Sequence, residues 1–211
     1  MHLPDGLLDT KVWMGAAAVS AAGVGLCLRS GRGLGERQVP LLGVMGAGVF
    51  AAQMLNFPVL GGTSGHFLGS ALLARVLGPG PAALAMTVVL LVQCLLFADG
   101  GLLALGANVL NMALVATFGG WGACRLLARL LPAPWGRHVA LGIGAWLSVE
   151  LAAALVAVEL AWSGSVPLAV GLGAMLSWHA LIGVGEAAIT VAAAGLLSGP
   201  AARALGVRED A

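Results

Sequence analysis

Charged residues are scarce in this sequence, and lysine is almost absent. Asp, Glu, Lys and Arg make up 9% of the 211 residues, while 60% are hydrophobic; a soluble domain carries about 25% charged and 45–50% apolar residues. The single lysine, Lys11, is followed by Val12, so a phosphate-binding G-x-x-x-x-G-K-[ST] loop is absent. The composition predicts a polytopic membrane protein without its own ATPase site, and a net charge of +1 argues against nucleic-acid binding.

Processing signals and common catalytic motifs are also missing. No basic region or A-x-A site precedes the first apolar segment, so we expect no cleavable signal, and the bulky His2 should leave Met1 uncleaved. Neither G-x-S-x-G nor H-E-x-x-H occurs. Cys27, Cys94 and Cys124 are odd in number and lie inside apolar segments, which predicts small buried hydrophobes rather than metal ligands or disulfides.

Seven apolar segments are candidates for membrane-spanning helices. A span needs about 20 residues, and the third segment is too short to cross alone. In the first segment, Ala17 and Ala21 and also Ala18 and Ala22 place small side chains on one face, for packing within the bundle or against a partner subunit. The segments are 12–28, 39–55, 66–77, 81–97, 102–131, 139–162 and 177–197.

The arginines predict how these segments are oriented. Basic residues favour cytoplasmic loops, and with seven spans and the N-terminus outside, every arginine falls on the cytoplasmic side and only Lys11 lies opposite. With six spans, the arginines would no longer all lie on the cytoplasmic side. We therefore expect an all-α, multi-pass protein of the cell (inner) membrane, a compact seven-helix bundle forming one membrane domain over residues 1–211. The arginines are Arg29, Arg32, Arg37, Arg75, Arg125, Arg129, Arg137, Arg203 and Arg208.

The opening residues 1–6, MHLPDG, are suited to chelating a metal ion. The Met1 amine, the His2 amide nitrogen and His2 Nδ1 would close a five-membered and a six-membered ring on one metal. One in-plane position stays open for a second histidine, and an all-nitrogen set suits Ni(II), Cu(II) or Co(II). The alternative is that His2 lies by chance in a frayed terminus.

His66 is predicted to lie below the outer membrane surface. It follows Gly61, Gly62 and Gly65 and precedes Arg75 by nine residues, which is roughly 13–14 Å of helix and about half of a 30 Å hydrocarbon core. With Arg75 at the inner interface, His66 requires a re-entrant loop, about residues 56–66, before the third helix. Irregular backbone at that depth must line a cavity or be buried in protein. The alternative is a histidine that caps a short helix.

Further polar residues are expected on the same side, where they would hold the loop and orient the imidazoles. His179 and Glu186, seven apart, share a helix face; ionisable groups inside a membrane are functional by default, although this pair, like Glu150 and Glu159, also fits a packing role. The predicted supporting residues are Gln53, Asn56, Thr63, Ser64, Gln93, Asp99, Asn108 and Asn111.

Several blocks of sequence resemble the CbiM/NikM family, the membrane substrate-capture (S) components of energy-coupling-factor (ECF) transporters for cobalt and nickel. The similarity covers nearly the whole chain and weakens after about Leu131. The blocks are MHLPDG at 1–6, AAQMLNFP at 51–58, GGTSGH at 61–66, LLFADGG at 95–101 and LGANVLNM at 105–112.

The resemblance implies a terminus tucked into an outward-facing cavity. It makes the Met1 amine, the His2 amide and ring, and the His66 ring the four nitrogen ligands of a planar site. It also implies Ni(II) or Co(II) as transported substrate, no organic cofactor and no catalytic residue. The implied partners are a transmembrane coupling protein (T component), two ABC ATPases and a small auxiliary (N-type) subunit, which the end at Ala211 would place on another polypeptide.

Two other functions are compatible with parts of the sequence. An intramembrane hydrolase would use Ser64 with His66 or His179, and a passive metal channel would work without ATPase partners. The sequence does not distinguish nickel from cobalt as the transported metal, although a deprotonated amide in a planar set of nitrogen ligands favours Ni(II).

Overall fold

Helices make up most of the chain in the computed structural model, which describes residues 1–31, 34–59, 63–131, 135–199 and 207. One two-stranded antiparallel sheet interrupts them. The elements in chain order are α1 Thr10–Gly31, α2 Gln38–Gln53, β1 Phe57–Val59, β2 Thr63–Gly65, α3 Ser70–Leu77, α4 Pro79–Phe97, α5 Leu105–Asn108, a π-helix Val109–Val115, α6 Ala116–Leu130, α7 Trp135–Trp162 and α8 Leu168–Leu196.

Five helical stretches in the described part of the chain are long and apolar enough to cross a bilayer. This agrees with a multi-pass helical membrane protein; the count of seven spans and the outward N-terminus stay predictions. The α2 helix is apolar but only 16 residues long, and Arg32, Arg203 and Arg208 lie outside the described residues. The five stretches are Thr10–Arg29, Pro79–Phe97, Leu105–Leu130, Trp135–Trp162 and Leu168–Leu196.

The third predicted segment is a short buried helix that starts later than expected. The α3 helix begins at Ser70 rather than at His66, and all of its residues except Arg75 are buried. Gly69 has a φ of +80°, and the amides of Leu68 and Gly69 donate to the Glu186 carboxylate of α8 instead of to a helical carbonyl. His66 therefore lies in an irregular segment before α3, and it does not cap the helix.

A β-hairpin occupies most of the predicted re-entrant loop. Phe57 pairs with Gly65, and Val59 pairs with Thr63, so the two strands satisfy part of each other's backbone hydrogen-bonding capacity. The Phe57 ring lies edge-on to Trp178 of α8, with ring centroids 6.4 Å apart. Gly61 and Gly62 lie outside the described residues, and the depth of this hairpin in a membrane stays a prediction.

The last helix starts nine residues before the predicted position 177, at Leu168. Pro167 occupies its N-cap with φ −59° and ψ 137°, and a proline at a helix start loses no intrahelical hydrogen bond. Gly183 allows α8 to approach α7, because an added Cβ would lie 2.7 Å from Trp146 Cδ1.

The first helix crosses α5 at small residues. A Cβ added to Gly106 would lie 2.4 Å from Ala17 Cα, and Ser20 Oγ donates to the Gly106 carbonyl over 2.6 Å. Ala17 thus packs within the bundle, whereas Ala18 and Ala21 are exposed.

Candidate metal-binding site

The first three residues are buried in the protein. Met1, His2 and Leu3 are exposed by only 1%, 4% and 0%, and Met1 and Leu3 belong to the main hydrophobic core. The alternative of a frayed terminus is therefore wrong. Burial of the first nitrogen atom requires specific partners, because an unpaired buried polar group costs about 1–3 kcal/mol.

Asn108 bonds both main-chain polar groups of Leu3. Its Oδ1 accepts from the Leu3 amide over 2.8 Å, and its Nδ2 donates to the Leu3 carbonyl over 3.1 Å. The Gly101 amide donates to the same carbonyl over 2.8 Å. These bonds fix the backbone of Leu3, the residue that follows His2, in the way that a neighbouring β-strand would.

Asp5 is a second anchor, which the sequence analysis did not identify. Its carboxylate accepts from the amides of Leu102, Leu103 and Ala104 over 3.0, 2.8 and 3.1 Å, so it caps the residues that lead into α5. A Cβ added to Gly101 would lie 2.1 Å from Asp5 Oδ1. Gly101 thus leaves the space that the N-terminal segment fills.

The Met1 amine and the His2 amide both meet Ser64 in strand β2. The amine donates to the Ser64 carbonyl and, over 3.2 Å, to Ser64 Oγ. The His2 amide donates to the same Oγ over 3.3 Å. Through Ser64, the Met1 amine and the His2 amide are therefore held beside the segment that carries His66.

The rings of His2 and His66 are stacked against each other. Their centroids are 4.7 Å apart and their planes make an angle of 28°. His2 Nδ1 and His66 Nε2 are both buried without a hydrogen-bond partner; Asp99 Oδ1 lies 3.3 Å from His2 Nδ1 without the geometry of a hydrogen bond. Asp99 in turn accepts from the exposed Asn56 Nδ2 over 3.2 Å.

A chain of hydrogen bonds determines which nitrogen of His2 carries the proton. The Leu68 carbonyl accepts from Gln53 Nε2 over 2.6 Å, so Gln53 Oε1 accepts from Gln93 Nε2 over 3.0 Å. Gln93 Oε1 is then left to accept from His2 Nε2 over 3.1 Å. Because a carbonyl oxygen only accepts, this order places the proton on His2 Nε2 and leaves the lone pair of Nδ1 free.

His66 is held in the other tautomer from His2. Its Nδ1 lies 2.7 Å from the Phe67 carbonyl oxygen, which only accepts, so Nδ1 carries the proton and Nε2 has a free lone pair. The Glu186 carboxylate fixes the next two residues by accepting from the Leu68 and Gly69 amides, each over 2.7 Å. Both carboxylate oxygens of the buried Glu186 thus help to position the His66 segment.

Burial keeps the basic groups of the site uncharged at neutral pH. It lowers the pKa of the Met1 amine from 8.0 to about 4, against a smaller opposing effect of Asp99. Burial, and then the nearby amine, lower the pKa of His2 to about 3 and that of His66 well below its usual value. Burial also raises the pKa of Asp99. The resulting cluster of neutral nitrogen bases is suited to a cation.

Other predicted residues contact the site less directly. Thr63 Oγ1 donates to the Met175 sulfur over 3.4 Å, and Asn111 Nδ2 donates to Glu159 Oε2 over 2.7 Å, so neither bonds a predicted ligand. His179 donates from Nδ1 to the Met175 carbonyl over 2.7 Å, and its Nε2 is buried without a partner. A proton on His179 would lower the pKa of His66, so the third imidazole lies within electrostatic range.

The arrangement suits a metal ion that uses main-chain nitrogen. Among the described residues, no group of three or more His, Cys, Asp or Glu side chains is arranged to hold a metal, so two imidazoles need further donors. The buried amine and the His2 amide lie beside them. A serine hydrolase has less support, because His66 Nε2 and His179 Nε2 have no partner and Ser64 Oγ bonds main-chain nitrogens instead.

Glu186→Gln is expected to weaken metal binding about 10- to 100-fold, the range for groups that orient metal ligands. The amide side chain has one acceptor oxygen for the two main-chain donors of Leu68 and Gly69, so the His66 segment would loosen. Competition with a chromophoric chelator measures the affinity. Glu150→Gln is the matched control, since Glu150 is buried in α7 and its Oε1 has no partner. Equal affinities for the two variants would contradict a positioning role for Glu186.

Solved structures share this fold. A crystal structure of a truncated transition metal transporter superposes with a TM-score of 0.86 at 33% identity, covering 93% of this chain and 98% of that one. A second crystal structure of a transition metal transporter gives a TM-score of 0.85 at 33% identity, with coverage of 93% and 92%.

Curated relatives are longer than this chain. A protein of Archaeoglobus fulgidus provisionally named as the fused nickel transport protein NikMN is 45% identical over 90% of this chain and 63% of its own length. The cobalt transport protein CbiM of Acetohalobium arabaticum is 34% identical over 77% of this chain and 65% of its own. The chain thus spans less than two thirds of either relative.

A family model described as the cobalt uptake substrate-specific transmembrane region matches residues 2–203. The match includes His2 and His66 and extends through all eight α-helices and the hairpin. The chain therefore belongs to the CbiM family of cobalt uptake membrane proteins.

Proposed function

We propose that this protein captures Ni(II) or Co(II) and delivers it to an ECF-type importer. The metal ligands are the Met1 amine, the His2 amide nitrogen, His2 Nδ1 and His66 Nε2. The observation that carries the proposal is the pair of stacked rings, 4.7 Å apart, whose two unpartnered nitrogens lie in the core beside the buried amine. A single metal ion would give both nitrogens a partner.

Each of the two imidazole ligands has a supporting neighbour. Gln53 and Gln93 keep the proton away from His2 Nδ1, and the Phe67 carbonyl does the same for His66 Nε2. Hydrogen bonds of this kind raise ligand basicity and fix ring orientation. Binding releases the proton of the His2 amide, and its strength increases with pH.

The proposed complex contains chains besides this one. The sequence has no phosphate-binding loop, so ATP hydrolysis belongs to two ABC ATPases, which act through a coupling membrane protein. Relatives named as fused NikMN proteins support a small N-type subunit as a further partner. In this proposal residues 1–211 form one membrane domain with the N-terminus outside the cell, and transport stops when the ATPases are removed, whereas a passive channel would still conduct.

Metal analysis of protein with an untagged N-terminus tests this function. Protein purified from medium containing equal nickel and cobalt should carry about one metal ion per chain, with nickel in excess because a planar nitrogen field containing an amide favours Ni(II). Inductively coupled plasma mass spectrometry gives the metal content, and intact mass confirms that Met1 is retained. A chain that takes up neither metal under these conditions would contradict the proposal.

A further inference from the structure

A polar cavity lies far from the histidine site. Its volume is about 580 Å³, and its lining includes Arg125, Arg129, Arg137 and His138, with part of α8 as one wall. His179 and Ala194, which lie at the two sites, are 15 positions apart on α8, or about 22 Å along the helix. The cavity is therefore separate from the proposed metal site.

The lining of this basic cavity carries charge of one sign. Arg75 also contributes to it, and none of the acidic residues in the described part of the chain does. Guanidinium groups match the geometry of phosphate and bind it in a bidentate manner. Arg125 is held in place by Trp121, with its Cζ 4.9 Å from the ring centroid. The cavity thus presents oriented donors for a phosphate group.

Exposed apolar side chains lie close in sequence to the residues that line this cavity. Leu126, Leu130 and Leu196 are 58%, 69% and 87% exposed, and Trp135 is 56% exposed; each lies within three positions of a cavity residue. Such side chains in a membrane protein face lipid, and tryptophan favours the headgroup level. A free phosphate ion would gain nothing from this apolar border, whereas the acyl chains of a phospholipid would pack on it.

We propose that the basic cavity binds the phosphate group of an anionic phospholipid. The arginines hold the phosphate, and the acyl chains lie along the leucines at the border. Basic pockets between membrane helices are a recurring form of headgroup recognition. The bound lipid would tie together the ends of α6, α7 and α8, which all contribute to the wall.

Lipid retention by the purified full chain tests this site. The protein is incubated in mild detergent with equal amounts of phosphatidylglycerol and phosphatidylcholine, and bound lipid per chain is measured by native mass spectrometry. Each basic side chain near an anionic surface changes affinity about fivefold, so Arg129→Gln with Arg137→Gln should retain roughly 25-fold less phosphatidylglycerol. Arg29→Gln with Arg37→Gln, which removes the same charge outside the cavity, should retain as much as the parent.

The remaining arms separate the sources of phosphate. Millimolar inorganic phosphate should leave the lipid bound; complete displacement would assign the cavity to free phosphate and overturn the lipid proposal. An equal loss of lipid in the two double variants would also overturn the proposal. So would a parent protein that shows no preference for phosphatidylglycerol, and that result would indicate that the cavity binds acidic residues of a partner protein instead. If the double variant does not fold, Arg129→Gln alone serves as the test, and it should retain about fivefold less phosphatidylglycerol than the parent.

Discussion

Adding the two residues Met-Gln ahead of Met1 is expected to lower Ni(II) affinity by more than about 100-fold. The change removes the amine from the chelate, and loss of a ligand should exceed the 10- to 100-fold effect of altering a residue that only orients one. The added residues also have no space, because Met1 is 1% exposed and its nitrogen bonds Ser64. Titration against a competing chelator measures the affinity.

The same dipeptide added after Ala211 is the control for the extension. It changes length and composition equally and leaves the first nitrogen untouched, so its Ni(II) affinity should equal that of the parent. Native-like affinity in the N-terminally extended protein would show that the amine is not a ligand, and the chelate would have to be abandoned.

His66→Ala should produce the second large loss, also beyond about 100-fold. The substitution removes the one nitrogen that the N-terminal segment does not supply, and leaves three donors in the plane. Stability without metal should also fall, since the substitution removes the ring that stacks on His2 and leaves the Phe67 carbonyl without its donor. Metal titration gives the affinity, and the visible absorption spectrum of bound Ni(II) shows the loss of an in-plane nitrogen.

His138→Ala is the control for that substitution. His138 is exposed in α7 and belongs to the basic cavity rather than to the site, so removing it should leave both the affinity and the spectrum unchanged. If His66→Ala bound Ni(II) with the parent's affinity and spectrum, His66 would not be a ligand, and His179 with its unpartnered Nε2 would become the candidate.

The sequence was sufficient to identify the main helices and to pair His2 with His66. Long apolar segments leave few alternatives in a membrane protein, since every backbone group must be satisfied within the segment. The resemblance and the nine-residue spacing between His66 and Arg75 both indicated the loop before α3. The detail of that loop was not predictable. Strands β1 and β2 form a hairpin, and α3 starts at Ser70 because the Leu68 and Gly69 amides donate to Glu186.

The residues that support the site were predicted as a group, but not their individual partners. Gln53 and Gln93 are 40 positions apart, and Asp5 caps amides 97 to 99 positions away. No local pattern encodes such pairs, because side-chain identity gives hydrogen-bonding capacity and only the tertiary fold gives the partner. For the same reason Asn111, which shares a face with Asn108 in the sequence pattern, bonds Glu159 and not the N-terminal segment.

The anchoring of Leu3 by Asn108, 105 positions later, bears on the order of events during synthesis. On the ribosome the opening residues emerge first, but the helix that clamps them is made about half a chain later, and Glu186, which sets the neighbouring segment, later still. Contacts this distant form late in folding. The opening residues of a nascent chain therefore stay without this anchor until about half of the 211 residues have been made, and the segment that carries His66 stays without its own anchor until Glu186 has followed.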